Sequence, residues 1–328
     1  MNYKALPKID LHCHLDGSAR PETLYELAVE RRLKVPAMDE LKESLIAPED
    51  CPSLDEYLKR FDLAVEVMQD KASLERITFE LFEDAANENV KYMEVRFGPL
   101  LHMKKGLTLD EIISSVVSGM NRAVELYDIE GGIILAVLRT MPTDDIDMLL
   151  DIGANYLDKG VVGFDLASSE VAGFCDIFKP YVMKAKSLGY KITIHAGETG
   201  VGQNVFDAVE IGATRIGHGI HIHNHKDAFD MVKKQHVVLE NCPSSNVQTK
   251  AVASLLQHPI KEFYDAGIIV SINTDNRTVS NTTMTIEVQK VIETFNLSLD
   301  EYFTIYKYSV EGAFASKSIK NKLLSYLQ

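Results

Sequence analysis

A chain of 328 residues, 46% of them hydrophobic, is long enough for one large α/β domain or two smaller ones. Its net charge of −14 argues against electrostatic binding to nucleic acid or to an anionic membrane. Four scattered cysteines without a CxxC pair, no apolar run in the first ten residues and no 18-residue apolar stretch lead us to expect free thiols and a cytoplasmic location.

The first predicted strand, 9–15, lies in "KIDLHCHLDG". Ile9, Leu11, Cys13 and Leu15 alternate with Asp10, His12, His14 and Asp16. Side chains alternate faces along a strand, so one face is apolar and the other carries two carboxylates and two imidazoles. The segment 35–89 follows, with room for more than one helix and a predicted capping box of Ser53 with Glu56. After a strand at 90–97, residues 108–128 predict a helix. Leu109, Ile112, Ile113, Val116, Val117, Met120, Ala123 and Val124 form its stripe, and Thr108 with Glu111 its capping box. Further strands are predicted at 132–138, 161–167, 191–195, 215–219, 237–241 and 268–273, separated by helical patterns. A helical tail follows Asp275, with a third predicted capping box at Ser298 and Glu301. Eight strands alternating with helices predict an α/β fold, a (β/α)8 TIM barrel, with extra helices inserted after the first strand and at the C-terminus. No Gly-, Ser- or Pro-rich linker and no repeat interrupts the pattern, so 1–328 is read as a single domain.

Catalytic groups in such barrels sit at the C-terminal ends of strands. His12 and His14 end the first strand, His195 the fifth in "ITIHAGE", with Glu198 just beyond, His218 the sixth in "RIGHG", and Asp275 follows the eighth in "SINTDN". A lone histidine near a strand end is more often a hydrogen-bonded core residue than a ligand. An HxH pair is more informative, because i, i+2 spacing puts both rings on one face. Three imidazoles and a carboxylate suit zinc and leave room for a bound water that the ion acidifies. Glu198, in a Gly-containing loop, is then an acid or base rather than a ligand. His221, His223 and His225 in "GHGIHIHNH" are read as loop residues outside the site. There is no HExxH helix, no H-x-E…P-C-x-x-C signature, no GxGxxG after a strand and no P-loop lysine motif.

The segments "LHCHLDGSARPETL", "SLDEYLKRFDLAVEVMQ", "YMEVRFGPLLH", "VVGFDLASSE", "IHAGETG", "RIGHG", "ENCPSSN" and "SINTDN" together resemble the adenosine deaminase family of the amidohydrolase superfamily. The resemblance implies one Zn2+ per chain held by His12, His14, His195 and Asp275. It assigns Glu198 as proton donor to purine N1 and His218 as the residue that orients and helps deprotonate the water on the metal. It places Gly163 where a backbone N–H meets N3, Asp16 and His14 near the ribose 5′-hydroxyl, and Asn276 against N7. The implied activity is hydrolytic deamination of adenosine and 2′-deoxyadenosine to inosine products and ammonia in purine salvage, with a small purine nucleoside as substrate and neither nucleic acid nor membrane as partner. A two-metal relative would carry Lys or Glu late in the fourth strand, whereas "VVGFDLA" has neither.

This chain departs from the family at Asn276, where many members have a second Asp, and at Ser168-Ser169, where many have Gly-Asp. Related adenine deaminases often carry Ser-Ser-Glu there. The alternative enzyme is therefore a deaminase of free adenine or of a modified adenosine. An AMP deaminase fits less well, since no basic cluster lies near the HxH segment and Arg20 is the nearest candidate. A barrel retained only for binding would be expected to have a damaged site, and here every metal and acid–base position is filled.

Overall fold

The computed structural model describes residues 1–48 and 51–327. Eight parallel strands, β1 (Lys8–His14), β2 (Val90–Phe97), β3 (Glu130–Leu138), β4 (Val161–Ala167), β5 (Lys191–Ala196), β6 (Arg215–His218), β7 (Val238–Asn241) and β8 (Ile269–Ile272), lie side by side in chain order. The seam between β8 and β1 closes at its upper end. Asp275 N–H donates to His12 O at 2.8 Å, and His14 N–H to Asp275 O at 2.7 Å. The predicted barrel is therefore present, with strand limits within two residues of expectation.

Between β1 and β2 lie α1 (Pro21–Glu30), α2 (Met38–Leu45), α3 (Leu54–Leu58), α4 (Asp62–Val67) and α5 (Lys71–Asn87). The crossovers that follow carry α6 (Leu109–Leu126), α7 (Ile146–Gly153), α8 (Phe174–Leu188), α9 (Gly202–Ile211) and α10 (Lys226–Lys234). Next come α11 (Pro243–Gln248) and α12 (Ile260–Asp265) before β8, then α13 (Met284–Phe295), α14 (Leu299–Gly312) and α15 (Lys317–Ser325). Reciprocal capping boxes form at Thr108/Glu111 and Ser298/Glu301. The predicted box at Ser53 and Glu56 is a correction: Ser53 accepts from Glu56 N–H, but no return bond forms, so α3 has a simple N-cap. All four cysteines are free and buried. Among the described residues no helix is long and apolar enough to cross a membrane.

Both faces of β1 are buried, because one looks into the barrel. Ile9 and Leu11 cluster with Tyr306 and Val310 of α14, while Cys13 and Leu15 join the main core. Asp10 instead accepts from the Thr274 hydroxyl at 2.6 Å, and His12 donates to Glu240 Oε2 at 2.8 Å. The lumen is packed with paired charges rather than with the branched apolar residues common in such barrels. Arg96 donates to Asp165 Oδ2 at 2.9 Å, to Glu240 Oε2 at 2.8 Å and to Leu11 O at 2.8 Å. Below it, Arg215 joins Glu240 Oε1 at 2.6 Å to Glu94 Oε2 at 2.5 Å. Arg96, Glu94, Asp165 and Glu240 are fully buried. Burial opposes the charge on Asp165 and Glu240, but the adjacent guanidinium and imidazole groups hold both below the usual carboxylate range.

Removing one member of a buried ion-paired set leaves its partners uncompensated. Arg96→Met should therefore lower stability by about 3–5 kcal/mol, read from urea denaturation midpoints. A loss below about 1 kcal/mol would mean that the lumen rearranges without Arg96.

Candidate active site

Two buried carboxylates set the direction of two imidazoles at the upper rim. Glu240 takes the Nδ1–H of His12 at 2.8 Å, and Asp165 takes that of His195 at 3.0 Å. A neutral imidazole that donates from Nδ1 presents a lone pair at Nε2. His12 Nε2 is buried without a hydrogen-bond partner and lies 3.4 Å from Asp275 Oδ1. His14 Nε2 lies 3.2 Å from His195 Nε2 and 3.3 Å from Asp275 Oδ1. Ligand atoms of His12, His195, His218 and Asp275 all fall within 4.8 Å of one another. Inward-facing lone pairs around one carboxylate form the donor set of a metal cation. The orphaned Nε2 of His12 and the close Nε2 pair of His14 and His195 both fit such an ion.

Burial works against the charge of Asp275, but the nearby imidazoles of His12, His14 and His218 hold it well below the usual carboxylate range. Ser245 also donates to its Oδ2 at 2.5 Å. Burial pushes His14 well below the usual imidazole range, against the pull of Asp275. His14 is thereby kept neutral, the state a ligand requires.

Glu198 lies past β5, in a loop tied down by a residue that sequence reasoning assigned no role. Glu170 accepts from Gly197 N–H at 2.9 Å, Thr199 N–H at 3.1 Å and the Thr199 hydroxyl at 2.9 Å. Thr249 donates to Glu198 Oε1 at 3.0 Å, while Oε2 faces His218 Nε2 at 3.6 Å. The carboxyl group is thus held by one oxygen, with the other beside the imidazole cluster.

These groups floor a cavity of about 480 Å³. His14, Asp16, His195, Glu198, His218, Asp275 and Asn276 supply its polar side. Leu54 and Leu58 of α3, Phe61, Val65 of α4, Leu101 and Leu138 supply an apolar side. The insertion after β1 therefore builds one wall. Burial pushes Asp16 up to about 6, and Gly17 N–H donates to its Oδ1 at 3.1 Å. Asn276 donates to the Tyr57 hydroxyl at 3.0 Å. Gly17 makes room for it, since a Cβ there would lie 2.0 Å from Asn276 Oδ1.

Two sequence expectations are revised or sharpened here. Gly163 lies away from the cavity. It is the third residue of β4, pairs with Lys191 at the start of β5, and a Cβ on it would meet Phe314 at 3.0 Å. Strands rise about 3.3 Å per residue, so Gly163 sits about 13 Å below the end of β4. The residue at that rim is Ser168, which lines the cavity with φ +75°. Counting to the end of the strand in "VVGFDLASS" would have found it. His221 and His223, read as loop residues, instead lie on a short 3-10 helix, Ile220–Asn224, and His225 follows it: His223 Nδ1 contacts Ile220 O at 2.7 Å, and His225 Nδ1 caps α10 by accepting from Ala228 N–H at 3.2 Å.

The adenosine deaminase family model matches residues 7–328. An adenosine deaminase of Vibrio vulnificus is 63% identical over 331 residues, with the whole of both chains covered. One from Shewanella halifaxensis is 60% identical over 330 residues, again over the whole of both. Among solved structures, the adenine deaminase of Arthrobacter aurescens superposes with a TM-score of 0.91 at 26% identity, covering 98% of each chain. With its barrel, its rim of imidazoles and carboxylates, and this likeness from end to end, the chain belongs to the adenosine deaminase family.

Proposed function

We propose that this protein hydrolyses adenosine and 2′-deoxyadenosine to the corresponding inosines and ammonia, using one zinc ion per chain. The observation that carries the reading is the convergence of His14, His195, Asp275, Glu198 and His218 on the floor of one cavity with an apolar wall, with His12 buried against them. His12, His14, His195 and Asp275 would hold the ion. When bound, it would supply a water acidified towards neutrality.

The protein's own residues supply the rest. The apolar wall from Leu54, Leu58, Phe61 and Val65 takes the flat face of a purine and excludes water. C6 of adenine is a poor electrophile until N1 is protonated. Glu198, fixed through Oε1 by Thr249, gives N1 that proton from its other oxygen. His218 orients the attacking water. The water oxygen bonds to C6 and the C6–N6 bond breaks; one of the water's two protons ends on the leaving amino group, which departs as ammonia, and the other returns to Glu198 in place of the proton given to N1. Asp16, beside His14 in the cavity, binds the ribose hydroxyl, and Asn276 donates to N7 through the amide hydrogen that Tyr57 leaves free.

The Ser168-Ser169-Glu170 stretch does not favour free adenine, because Glu170 is occupied in holding the Glu198 loop. Asp16 lining the cavity favours a ribose. Initial rates on adenosine, adenine and 5′-substituted adenosines test this directly. Adenosine should be the best substrate, and a preference for adenine would overturn the reading.

Three variants test the roles. His195→Ala should lose bound metal and turnover together, measured by elemental analysis beside the rate. Full activity in a metal-free sample would contradict the ligand assignment. Glu198→Gln should keep its metal and lose at least about 10²-fold in kcat, since Gln cannot supply the proton. Asn276→Leu should cost about 1–3 kcal/mol in kcat/KM for adenosine. It should also shrink the preference for adenosine over 7-deazaadenosine, which lacks the N7 acceptor. An unchanged preference would remove Asn276 from N7.

A further inference from the structure

Behind His218 runs a buried chain of side chains that ends on a backbone N–H. Asn246 Nδ2 lies 3.0 Å from His218 Nδ1, and Asn246 Oδ1 lies 3.1 Å from His258 Nε2. Ile260 N–H, at the first turn of α12, donates to His258 Nδ1 at 3.2 Å. His218, Asn246 and His258 are 1%, 0% and 2% exposed, so water does not offer these groups alternative partners.

A backbone N–H can only donate, so the proton logic runs one way from Ile260. His258 Nδ1 must be the acceptor. Its ring hydrogen is then on Nε2, and the Asn246 atom facing it must be the carbonyl oxygen. That fixes the amide, whose NH₂ end must face His218 Nδ1. His218 Nδ1 must therefore accept, and the ring proton of neutral His218 is on Nε2. The chain requires His258 to be uncharged, and burial lowers its pKa to about 3, with His218 adding to the shift. We propose that His258 and Asn246 are positioning residues that fix the tautomer of His218, holding its ring proton on Nε2, the nitrogen that faces Glu198 Oε2.

The consequence rests on the deaminase reading. With Nε2 already protonated, neutral His218 meets the attacking oxygen as a hydrogen-bond donor and does not take a proton from it at that nitrogen. It stabilises negative charge on the oxygen, while proton delivery to the purine stays with Glu198. The arrangement differs from that of His12 and His195, whose Nδ1 atoms face carboxylates and whose Nε2 atoms are left as lone pairs. The cluster thus contains imidazoles set in opposite tautomers by opposite kinds of partner: acceptors behind His12 and His195, a donor behind His218.

The test is a two-bond ¹H–¹⁵N spectrum of histidine-labelled, zinc-loaded protein near neutral pH, with His218 assigned by its loss in His218→Gln. The expected result is His218 in the Nε2–H form. Asn246→Asp offers acceptors alone, so it should move the His218 proton to Nδ1 and lower kcat at least about tenfold, with KM for adenosine changed less than about threefold. His258→Gln can still donate to Asn246 and should keep both the Nε2–H form and kcat within about threefold. If Asn246→Asp does not fold, the wild-type spectrum decides alone. An Nδ1–H His218 in the wild-type protein, or an Asn246→Asp variant with an unchanged His218 spectrum, would overturn the proposal. An Nε2–H His218 in a protein that does not turn over adenosine would keep the relay and remove the deaminase reading instead.

Discussion

The hydrogen bonds from His12 to Glu240 and from His195 to Asp165 decide what the rim can do. Each fixes a tautomer and points a lone pair at the same small volume. The carboxylates that do this are buried, and a buried carboxylate persists only where positive charge answers it. Arg96 answers both at once, and Arg215 answers Glu240 again from below before reaching Glu94. The polar lumen is thus one continuous structure from the lower end of the barrel to its catalytic rim. Its cost in desolvation is offset by the precision with which it holds the imidazoles.

The rim also concentrates backbone strain. Ser168, His218 and Asp275 follow or end β4, β6 and β8, and each takes a positive φ, at 75°, 64° and 60°. Side chains other than glycine rarely adopt this region, and such residues cluster at functional sites. Each position is over-determined by its neighbours. Arg139 binds the Ser168 carbonyl, Asn241 donates to His218 O at 2.7 Å, and the β1–β8 seam grips Asp275 through both its N–H and its C=O. At Asp275 the bond that closes the barrel seam and a candidate ligand belong to the same residue, so the seam also positions that side chain.

Much of this was legible in the sequence, for identifiable reasons. Strand pattern and helical stripes are local, so the barrel and the inserted helices could be read directly. The rim residues could be read because barrels place strand ends together, which turned His12, His14, His195, His218 and Asp275 into one cluster before any geometry was known. What escaped was long-range or a matter of counting. Glu240, Asp165 and Arg96 act on histidines far away in sequence, and nothing local marks them. Asn246 and His258 lie 28 and 12 residues from the groups they contact. Gly163 was misplaced because glycine drew attention to the middle of β4, when the rim is reached at Ser168. Ser53 looked like half of a capping box, and it is only an N-cap.

The central claim is that His12, His14, His195 and Asp275 hold one ion while His218 stands outside it. The geometry alone draws all five groups together, so the most direct measurement is anomalous diffraction from crystals of the zinc-loaded protein at the zinc absorption edge. The account predicts a single peak with nitrogen and oxygen ligands at about 2.0–2.2 Å from those four residues, and His218 beyond bonding distance. A peak bonded to His218 with His14 outside, or two peaks sharing the site, would contradict it.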